Sequence, residues 1–270
     1  MILTVANYVF EFLLSIFIFR FYVTYPLASY MVVKKKEYSL AEYTSKVRKC
    51  GSSMINTSFY IILSYKIYQI IKNEHMFPTF LGGSGTLEEA VFRDLVSKNL
   101  ENYRDKVSID IMSFYHFQLA FHIAETIMHV VSPKRSDFIE MLIHHAATLS
   151  LVFYSMIYNR TNVGILIMFL HDISDIPVYI TKTFSDTNFT KTTIASFLLL
   201  VSGWIYFRIY ALGVIIYELL SNSEGFHFNM TCVLVILYML HYYWLALMFR
   251  MAYNLIFNKK IEDTQERHLE

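Results

Sequence analysis

Residues His144–Lys182 read HHAATLSLVFYSMIYNRTNVGILIMFLHDISDIPVYITK, and this stretch decides the fold. It holds two apolar segments joined by a short polar turn at residues 159–162. Ionisable side chains also lie inside these segments: His144, His145, His171, Asp172 and Asp175. Such groups are costly at membrane depth and usually mark a functional site. The stretch therefore predicts a hairpin of two membrane helices that contains a functional site.

The composition of the whole chain extends this interpretation. The 270 residues are 55% hydrophobic and 17% aromatic, which is too apolar for an ordinary soluble domain. Seven stretches approach or exceed the roughly 20 residues that a membrane-crossing helix needs: 6–33, 52–72, 107–131, 138–158, 162–183, 194–220 and 228–257. We therefore predict an all-α polytopic membrane protein with about seven transmembrane helices. The formal net charge of +1 argues against a nucleic-acid partner.

Lys and Arg residues predict the orientation of these helices. With alternating sides, one face carries twelve Lys and Arg residues in its connectors and C-terminal tail, and the other face carries five. The positive-inside rule then places the C-terminus in the cytosol, or in the matrix of a mitochondrion. At 1.5 Å per residue, His144 lies about 9 Å and Asp175 about 12 Å from the cytosolic ends of their helices. The two antiparallel segments can therefore bring these groups to a similar depth.

Other predicted spans contribute further polar residues. The third span holds His122 and Glu125, the sixth holds Arg208 and the seventh holds His241. Any one of these could simply be an interhelical hydrogen-bond partner. The whole set instead predicts a polar cavity inside the helix bundle.

The spacing of the candidate residues along the sequence predicts which of them share one face of a helix. His171 and Asp175 are four residues apart and share a face, where the carboxylate can orient the imidazole. The adjacent His144 and His145 point about 100° apart, so only one can face a given cavity squarely. Histidine and carboxylate clusters on helices also bind iron or zinc. Because the chain has one His-His pair and no repeated HxxHH pattern, we expect no metal and no resident cofactor.

The same residues resemble a known motif. The run from His144 is similar to the longevity-assurance motif of ceramide synthases, within the TLC-domain family. The matching positions of the run are Thr148, Asn159, Gly164, His171-Asp172, Asp175 and Lys182. Further similar stretches are 137–145, His122 with Glu125, Arg208, and Tyr238 through Trp244. The resemblance covers about residues 46–257.

The resemblance implies both a fold and an activity. The implied fold is a six-helix barrel over residues 46–257, preceded by an N-terminal helix and basic connector in 1–45 and followed by a polar tail in 258–270. The implied activity is N-acylation of a sphingoid base, with fatty acyl-CoA as co-substrate. An amphipathic insert at about 86–105 is expected at the membrane surface or against a partner. We expect membrane lipids as further partners and the endoplasmic reticulum as the location, with the mitochondrial inner membrane as the alternative.

The resemblance also implies roles for individual residues. His144 or His145 would accept the acyl group or act as the base, with His171, Asp172 and Asp175 in support. The supporting cavity residues would be His122, Glu125, Arg208 and His241. The CoA would lie at a cytosolic mouth formed by Lys134, Arg135 and Lys182.

A second hypothesis comes from departures from the family's pattern. The family usually carries Glu where this chain has Tyr179 and Arg where it has Asn162, and its Glu-Ser-x-Trp-Arg pattern is largely missing near Ser52. The alternative is a non-catalytic accessory subunit of a larger complex, for instance in the mitochondrial inner membrane, or a lipid-binding scaffold. A protein partner would then hold the polar tail 258–270, which is otherwise expected to be mobile.

Overall fold

The structure is a computed structural model that describes residues 2–36, 38–88, 90, 109–132, 134, 137–158, 160–221 and 228–257. Three predictions fall wholly or mostly outside these residues: the insert at about 86–105, the tail 258–270, and the role of Arg135 at the mouth.

Long helices make up most of the described residues. The first consists of α1 (Ile2–Phe19), a π-helical turn (Arg20–Thr24) and α2 (Tyr25–Met31). Four continuous helices follow: α3 (Leu40–Ile71), α4 (Ile109–Val131), α5 (Phe138–Ile157) and α6 (Thr161–Phe184). The next consists of α7 (Thr190–Gly203), a π-helical segment (Trp204–Ala211) and α8 (Leu212–Ser221), and the last is α9 (Phe228–Phe257). Each of the seven predicted spans coincides with one of these helices, and the described part of the chain contains no β-strand.

Several of these helices suit a membrane. Five helical segments among the described residues are long and apolar enough to cross one: Leu3–Met31, Phe138–Ile157, Thr161–Phe184, Thr190–Ser221 and Phe228–Asn254. Their outward faces carry exposed large apolar side chains, such as Phe10 and Phe17 on α1 and Tyr217 on α8. Because contiguous apolar faces of this kind are unfavourable in water, they indicate contact with lipid. The prediction of an all-α polytopic membrane protein is confirmed.

Helix α6 lies at the centre of the bundle, between α3 and α7. Residues Val163 through Leu170 are all buried, as expected for a helix that is apolar on every side. Gly164 permits a close approach of its neighbours. A Cβ atom there would lie 2.0 Å from the Tyr115 hydroxyl and 3.0 Å from the Ser155 Cβ. Helices α4 and α5 can therefore pack directly against the α6 backbone.

The segment that follows α3 folds back against the bundle. Phe77 is buried and packs edge-on against Phe169 of α6, with ring centroids 5.7 Å apart. The Tyr206 hydroxyl donates a hydrogen bond to the Phe80 carbonyl. Within the segment, the Gly85 amide donates to the Phe77 carbonyl at 2.8 Å. Irregular backbone can lie against a membrane protein's core when it satisfies its own hydrogen bonds in this way.

A charged cluster ties α3 to the turn between α6 and α7. The Asp186 carboxylate lies 3.1 Å from the Lys46 ammonium and 3.2 Å from the Lys49 ammonium. The Asp186 carbonyl also accepts a hydrogen bond from the Val33 amide, which brings the N-terminal connector to the same place. Burial alone would raise the pKa of the Asp186 carboxyl, but the two ammonium groups outweigh burial and lower that pKa.

Candidate active site

A cavity of about 700 Å³ runs through the bundle. Every long helix except the N-terminal one contributes to its wall, α3 through Tyr60 and α4 through His122. At the end predicted to face the cytosol, the wall includes the exposed side chains of Tyr243 and Arg250. At the other end, the lining residue Met230 is only 3% exposed. The wall therefore reaches exposed residues at the end that carries Arg250, called the mouth or open end below, and buried residues at the end that carries Met230, called the closed end.

Helices α5 and α6 each contribute a full-length stripe to this wall. The α5 stripe consists of Glu140, Met141, His144, Thr148, Leu151, Val152 and Ser155, with Asp137 just before the helix and His145 beside the stripe. The α6 stripe consists of Gly164, Ile167, Met168, His171, Asp172, Asp175, Tyr179 and Lys182. Residues spaced by three and four lie on one face of a helix, which is why these positions meet the same space.

The polarity of the wall changes along the cavity. The open end is charged, and the middle carries the histidines and aspartates of α5 and α6. The charged residues at the open end are Asp137, Glu140, Lys182 and Arg250. The closed end is apolar, with Leu151, Val152, Ile167, Met168, Met230 and Leu237. This gradient fits an amphiphilic molecule whose polar group faces the mouth and whose chain extends inward.

Arg208 connects the polar residues at the middle of the cavity. It projects from the π-helical segment after α7, and its side chain is 1% exposed. Its Nη2 donates to Asp175 Oδ1 at 2.6 Å and to the His171 carbonyl at 3.0 Å. Its Nε donates to Ser174 Oγ at 2.6 Å, and its Nη1 donates to His241 Nε2 at 3.1 Å. The guanidinium therefore offsets the charge of Asp175 and fixes the side chains of three neighbouring residues.

These bonds determine the tautomers of two histidines. Arg208 has no acceptor atom, so His241 Nε2 accepts and the His241 proton resides on Nδ1. His171 Nδ1 donates to the Ile167 carbonyl at 2.7 Å, so its lone pair resides on Nε2. His171 Nε2 is buried and has no hydrogen-bond partner among the described residues. His171 therefore lines the cavity and keeps an unpaired lone pair on this buried nitrogen.

The His144 and His145 side chains both line the cavity, in different surroundings. His144 meets Trp244 edge-on with ring centroids 5.3 Å apart, and its Nδ1 is buried with no partner among the described residues. His145 is 8% exposed, and its ring centroid lies 5.2 Å from that of His129. His144 belongs to the α5 stripe and His145 lies next to it.

The structure brings most of the predicted site residues to this cavity. His122, His144, His145, His171, Asp172, Asp175, Arg208 and Lys182 all line it. His241 lies behind Arg208 without lining the cavity, and Glu125 accepts a hydrogen bond from Asn56 Nδ2 at 3.4 Å outside it. Lys134 is exposed and lies over the Phe138 ring rather than on the cavity wall. Arg250, which was not among the predicted residues, does line the cavity.

Sequence reasoning missed several residues of the site. Gln118 is fully buried, and its Nε2 donates to Asp172 Oδ2. Tyr60 stacks on Tyr179 with ring centroids 5.3 Å apart and an interplanar angle of 12°. Gln118 could have been noticed as a lone amide within an apolar segment. Tyr60 gave no signal, because aromatic residues that face lipid look the same in sequence.

A metal site was the alternative chemistry. Within the described ranges, no group of three or more His, Cys, Asp or Glu residues is arranged to hold a metal ion. The expectation that the protein needs no cofactor stays a prediction.

Comparison with known proteins places the chain in a family. The family model of the TLC domain matches residues 46–250. Ceramide synthase 4 of Mus musculus is 27% identical over 186 residues, which are 66% of this chain and 47% of that protein. Ceramide synthase 3 of Mus musculus is 32% identical over 161 residues, 57% of this chain and 40% of that protein. Ceramide synthase 1 LOH3 of Arabidopsis thaliana is 26% identical over 263 residues, 89% of this chain and 80% of that protein.

These matches establish the family of the chain but cover only part of each relative. The matched regions span less than half the length of the two mouse relatives. The TLC domain match covers well over half of this chain, as the run from His144 to Lys182 predicted. The chain belongs to the TLC domain family and, within it, is similar to the ceramide synthases.

Proposed function

We propose that this protein is an N-acyltransferase that joins the acyl group of a fatty acyl-CoA to a sphingoid base inside the membrane. The cavity carries this proposal, because it leads from a charged mouth past buried histidines to an apolar closed end. Both substrates are amphiphiles with one long chain, and such a cavity holds the chain away from water while the polar groups react. The names of the similar ceramide synthases support the same chemistry.

In this proposal, His144 and His171 carry out the two steps of the acyl transfer. An unprotonated imidazole nitrogen of His144 attacks the thioester carbonyl carbon, the carbon–sulfur bond breaks, and CoA leaves as the thiolate. The neutral amine of the sphingoid base then attacks the acyl carbon, and the bond to the imidazole breaks. His171 Nε2 accepts the proton that the amine nitrogen loses, and this proton passes to the CoA thiolate through the mouth. In the alternative, the amine attacks the thioester directly and a histidine acts only as the base.

The two ends of the cavity bind different parts of acyl-CoA in this proposal. Lys182 and Arg250 at the mouth would attract the CoA phosphates, which remain in the cytosol. Leu151 and Met168 at the closed end would contact the acyl chain. The thioester would then lie between them, at the level of His144 and His171.

Acyl transfer by the purified protein tests this function. Protein in liposomes would receive long-chain acyl-CoA and a sphingoid base, and the amide product would be measured. His144→Ala and His171→Ala should each lower the rate by at least about 100-fold, because each removes a reacting group. His116→Ala is the matched control, since this α4 histidine does not line the cavity.

Two results would count against this proposal, the first against the roles of the histidines and the second against the activity itself. One is wild-type amide formation by a His144→Ala/His145→Ala double variant. The other is no product from folded wild-type protein across several acyl chains and amines. The second result would favour the non-catalytic subunit, for which the departure at Tyr179 is the supporting observation, since its ring stacks on Tyr60 in the cavity wall.

A further inference from the structure

Threonine hydroxyls in these helices usually bond back to their own backbone. Thr57 donates to the Ser53 carbonyl at 2.9 Å, Thr126 to the His122 carbonyl at 2.6 Å, and Thr183 to the Tyr179 carbonyl at 2.8 Å. This bond to the residue four positions earlier is how an apolar helix satisfies a threonine. Three threonines depart from the pattern, because the hydroxyl oxygens of Thr24, Thr148 and Thr161 are buried and have no partner among the described residues. Of these three, Thr148 is the one that lines the cavity.

Thr148 lines the cavity. It belongs to the α5 stripe and lies one helical turn beyond His144, toward the closed end. Residues four apart on a helix have Cβ atoms about 5–6 Å from each other. Helical side chains lean toward the N-terminus, so the Thr148 side chain lies over the turn that carries His144. The buried Nδ1 of His144 likewise has no partner in the described part of the chain.

A ligand that brings its own acceptor would explain this hydroxyl. Natural proteins rarely keep a buried polar atom unpaired, and the exceptions are often functional. A threonine hydroxyl can donate one hydrogen bond, and a carbonyl oxygen is the natural acceptor for it.

We propose that the Thr148 hydroxyl donates a hydrogen bond to the acyl carbonyl oxygen while His144 reacts at the carbonyl carbon. This inference rests on the proposed acyltransferase function. When the nucleophile attacks, the carbonyl π electrons move to oxygen, which becomes negative. When the carbon–sulfur bond breaks, the double bond reforms. A donor aimed at this oxygen stabilises the charged intermediate more than the bound thioester.

The direction of the cavity favours the acyl carbonyl over the amine substrate's hydroxyl groups. Past Thr148, the α5 stripe continues with Leu151 and Val152 into the apolar closed end. An acyl chain that fills this end has its carbonyl beside His144 and Thr148. The leaving sulfur then points toward the mouth, on the side of Glu140.

Steady-state kinetics of three variants test this role. Thr148→Val keeps the shape and removes the hydroxyl, and Thr148→Ser keeps the hydroxyl. Thr183→Val is the matched control, because Thr183 is buried, bonds back to its helix and does not line the cavity. We expect Thr148→Val to lower kcat by about 100-fold, as loss of a single oxyanion donor does. Its KM for acyl-CoA should stay within about threefold of the wild-type value, because the bond strengthens mainly in the transition state.

The Thr148→Ser kinetics and the melting temperatures separate hydrogen bonding to the carbonyl oxygen from a packing role and from amine binding. Thr148→Ser should keep most of the wild-type kcat, and all three variants should unfold near the wild-type temperature. A wild-type kcat in Thr148→Val overturns the inference, as does a rise in the amine KM alone. Equal losses in the Val and Ser variants with lowered melting temperatures would show a packing role and also overturn it. If the wild-type protein forms no amide, the proposed function fails first and this inference fails with it.

Discussion

Arg208 is the residue on which the polar centre of the cavity depends. Its guanidinium is buried and satisfies Asp175, Ser174 and His241 at once. Removing one partner of a buried ion pair typically costs about 3–5 kcal/mol, because the other charge stays buried and unpaired. We therefore expect Arg208→Met to lower the melting temperature in detergent strongly and to abolish amide formation. Adding Asp175→Asn should restore part of the lost stability, since it removes the unpaired charge.

Arg250→Met provides the comparison for this experiment. Arg250 lines the mouth but is exposed, so the same substitution should change the free energy of unfolding by less than about 0.5 kcal/mol. Equal melting temperatures for the two variants would contradict the role given to Arg208.

Single residues also show where sequence reasoning succeeds and where it stops. His144, His171 and Asp175 could be predicted because an ionisable group within an apolar segment is expensive and therefore informative. The direction of the Thr148 hydroxyl could not be predicted, because it depends on whether the hydroxyl meets the cavity or its own backbone. Lys134 does not line the cavity, because closeness in sequence to the end of α5 does not make a side chain face it, and its role in binding CoA stays a prediction.

At the scale of helices, Gly164 sets how closely α4, α5 and α6 pack. A methyl group at this position would meet the Tyr115 hydroxyl at 2.0 Å, and that hydroxyl already donates to the Thr161 carbonyl. Gly164→Ala should therefore destabilise the protein by about 1–3 kcal/mol through overpacking. Gly164→Ala/Tyr115→Phe should melt above Gly164→Ala, because the second change removes the atom that clashes. A double variant that melts lower than both single variants would contradict this account.

The cluster at Asp186 joins α3 to the turn between α6 and α7, and its stability should depend on pH. Because the pKa of Asp186 is lowered in the folded protein, its stabilisation is present above the unfolded pKa of about 3.9 and is lost as pH falls through the folded pKa. Asp186→Asn should melt below wild type at pH 7, since hydrogen bonds to charged groups contribute about 1.5–3 kcal/mol. The difference should shrink below about pH 4. Equal differences at pH 7 and pH 3 would show that the ion pairs do not stabilise the joint.

Helix positions were more predictable than local departures from helical geometry. The spans follow from the length of apolar segments, which the bilayer dictates, so each predicted span lies on a helix. No feature of the sequence predicted the π-helical segments Arg20–Thr24 and Trp204–Ala211. The second of them carries Arg208, which lines the cavity. The fold-back of the segment after α3 rests on local hydrogen bonds and on Phe77, which composition does not reveal.

At the scale of the whole molecule, the distribution of basic residues and the position of the cavity's open end point to the same face of the bundle. The basic connectors predict which face meets the cytosol, and the cavity opens at the end of the bundle that belongs to this face. CoA is water-soluble and charged, whereas an acyl chain is not, so an enzyme using both needs an opening on the aqueous side and a closed apolar end. In this cavity, Arg250 lines the open end and Met230 lines the closed end.

The depth of the cavity should then limit the length of the acyl chain. Leu151 lines the wall two turns beyond His144, where an inserted chain must pass. Leu151→Phe would fill part of this space, so we expect the preferred acyl-CoA to become shorter while the rate with the shortest accepted chain stays near the wild-type rate. Ile157→Phe on the same helix is the control, because Ile157 is 54% exposed on the outer surface and should leave the preference unchanged. Competition assays with mixed acyl-CoA chain lengths would measure both. If Leu151→Phe slows all chain lengths equally, the chain does not pass Leu151, and the closed end of the cavity does not bind it.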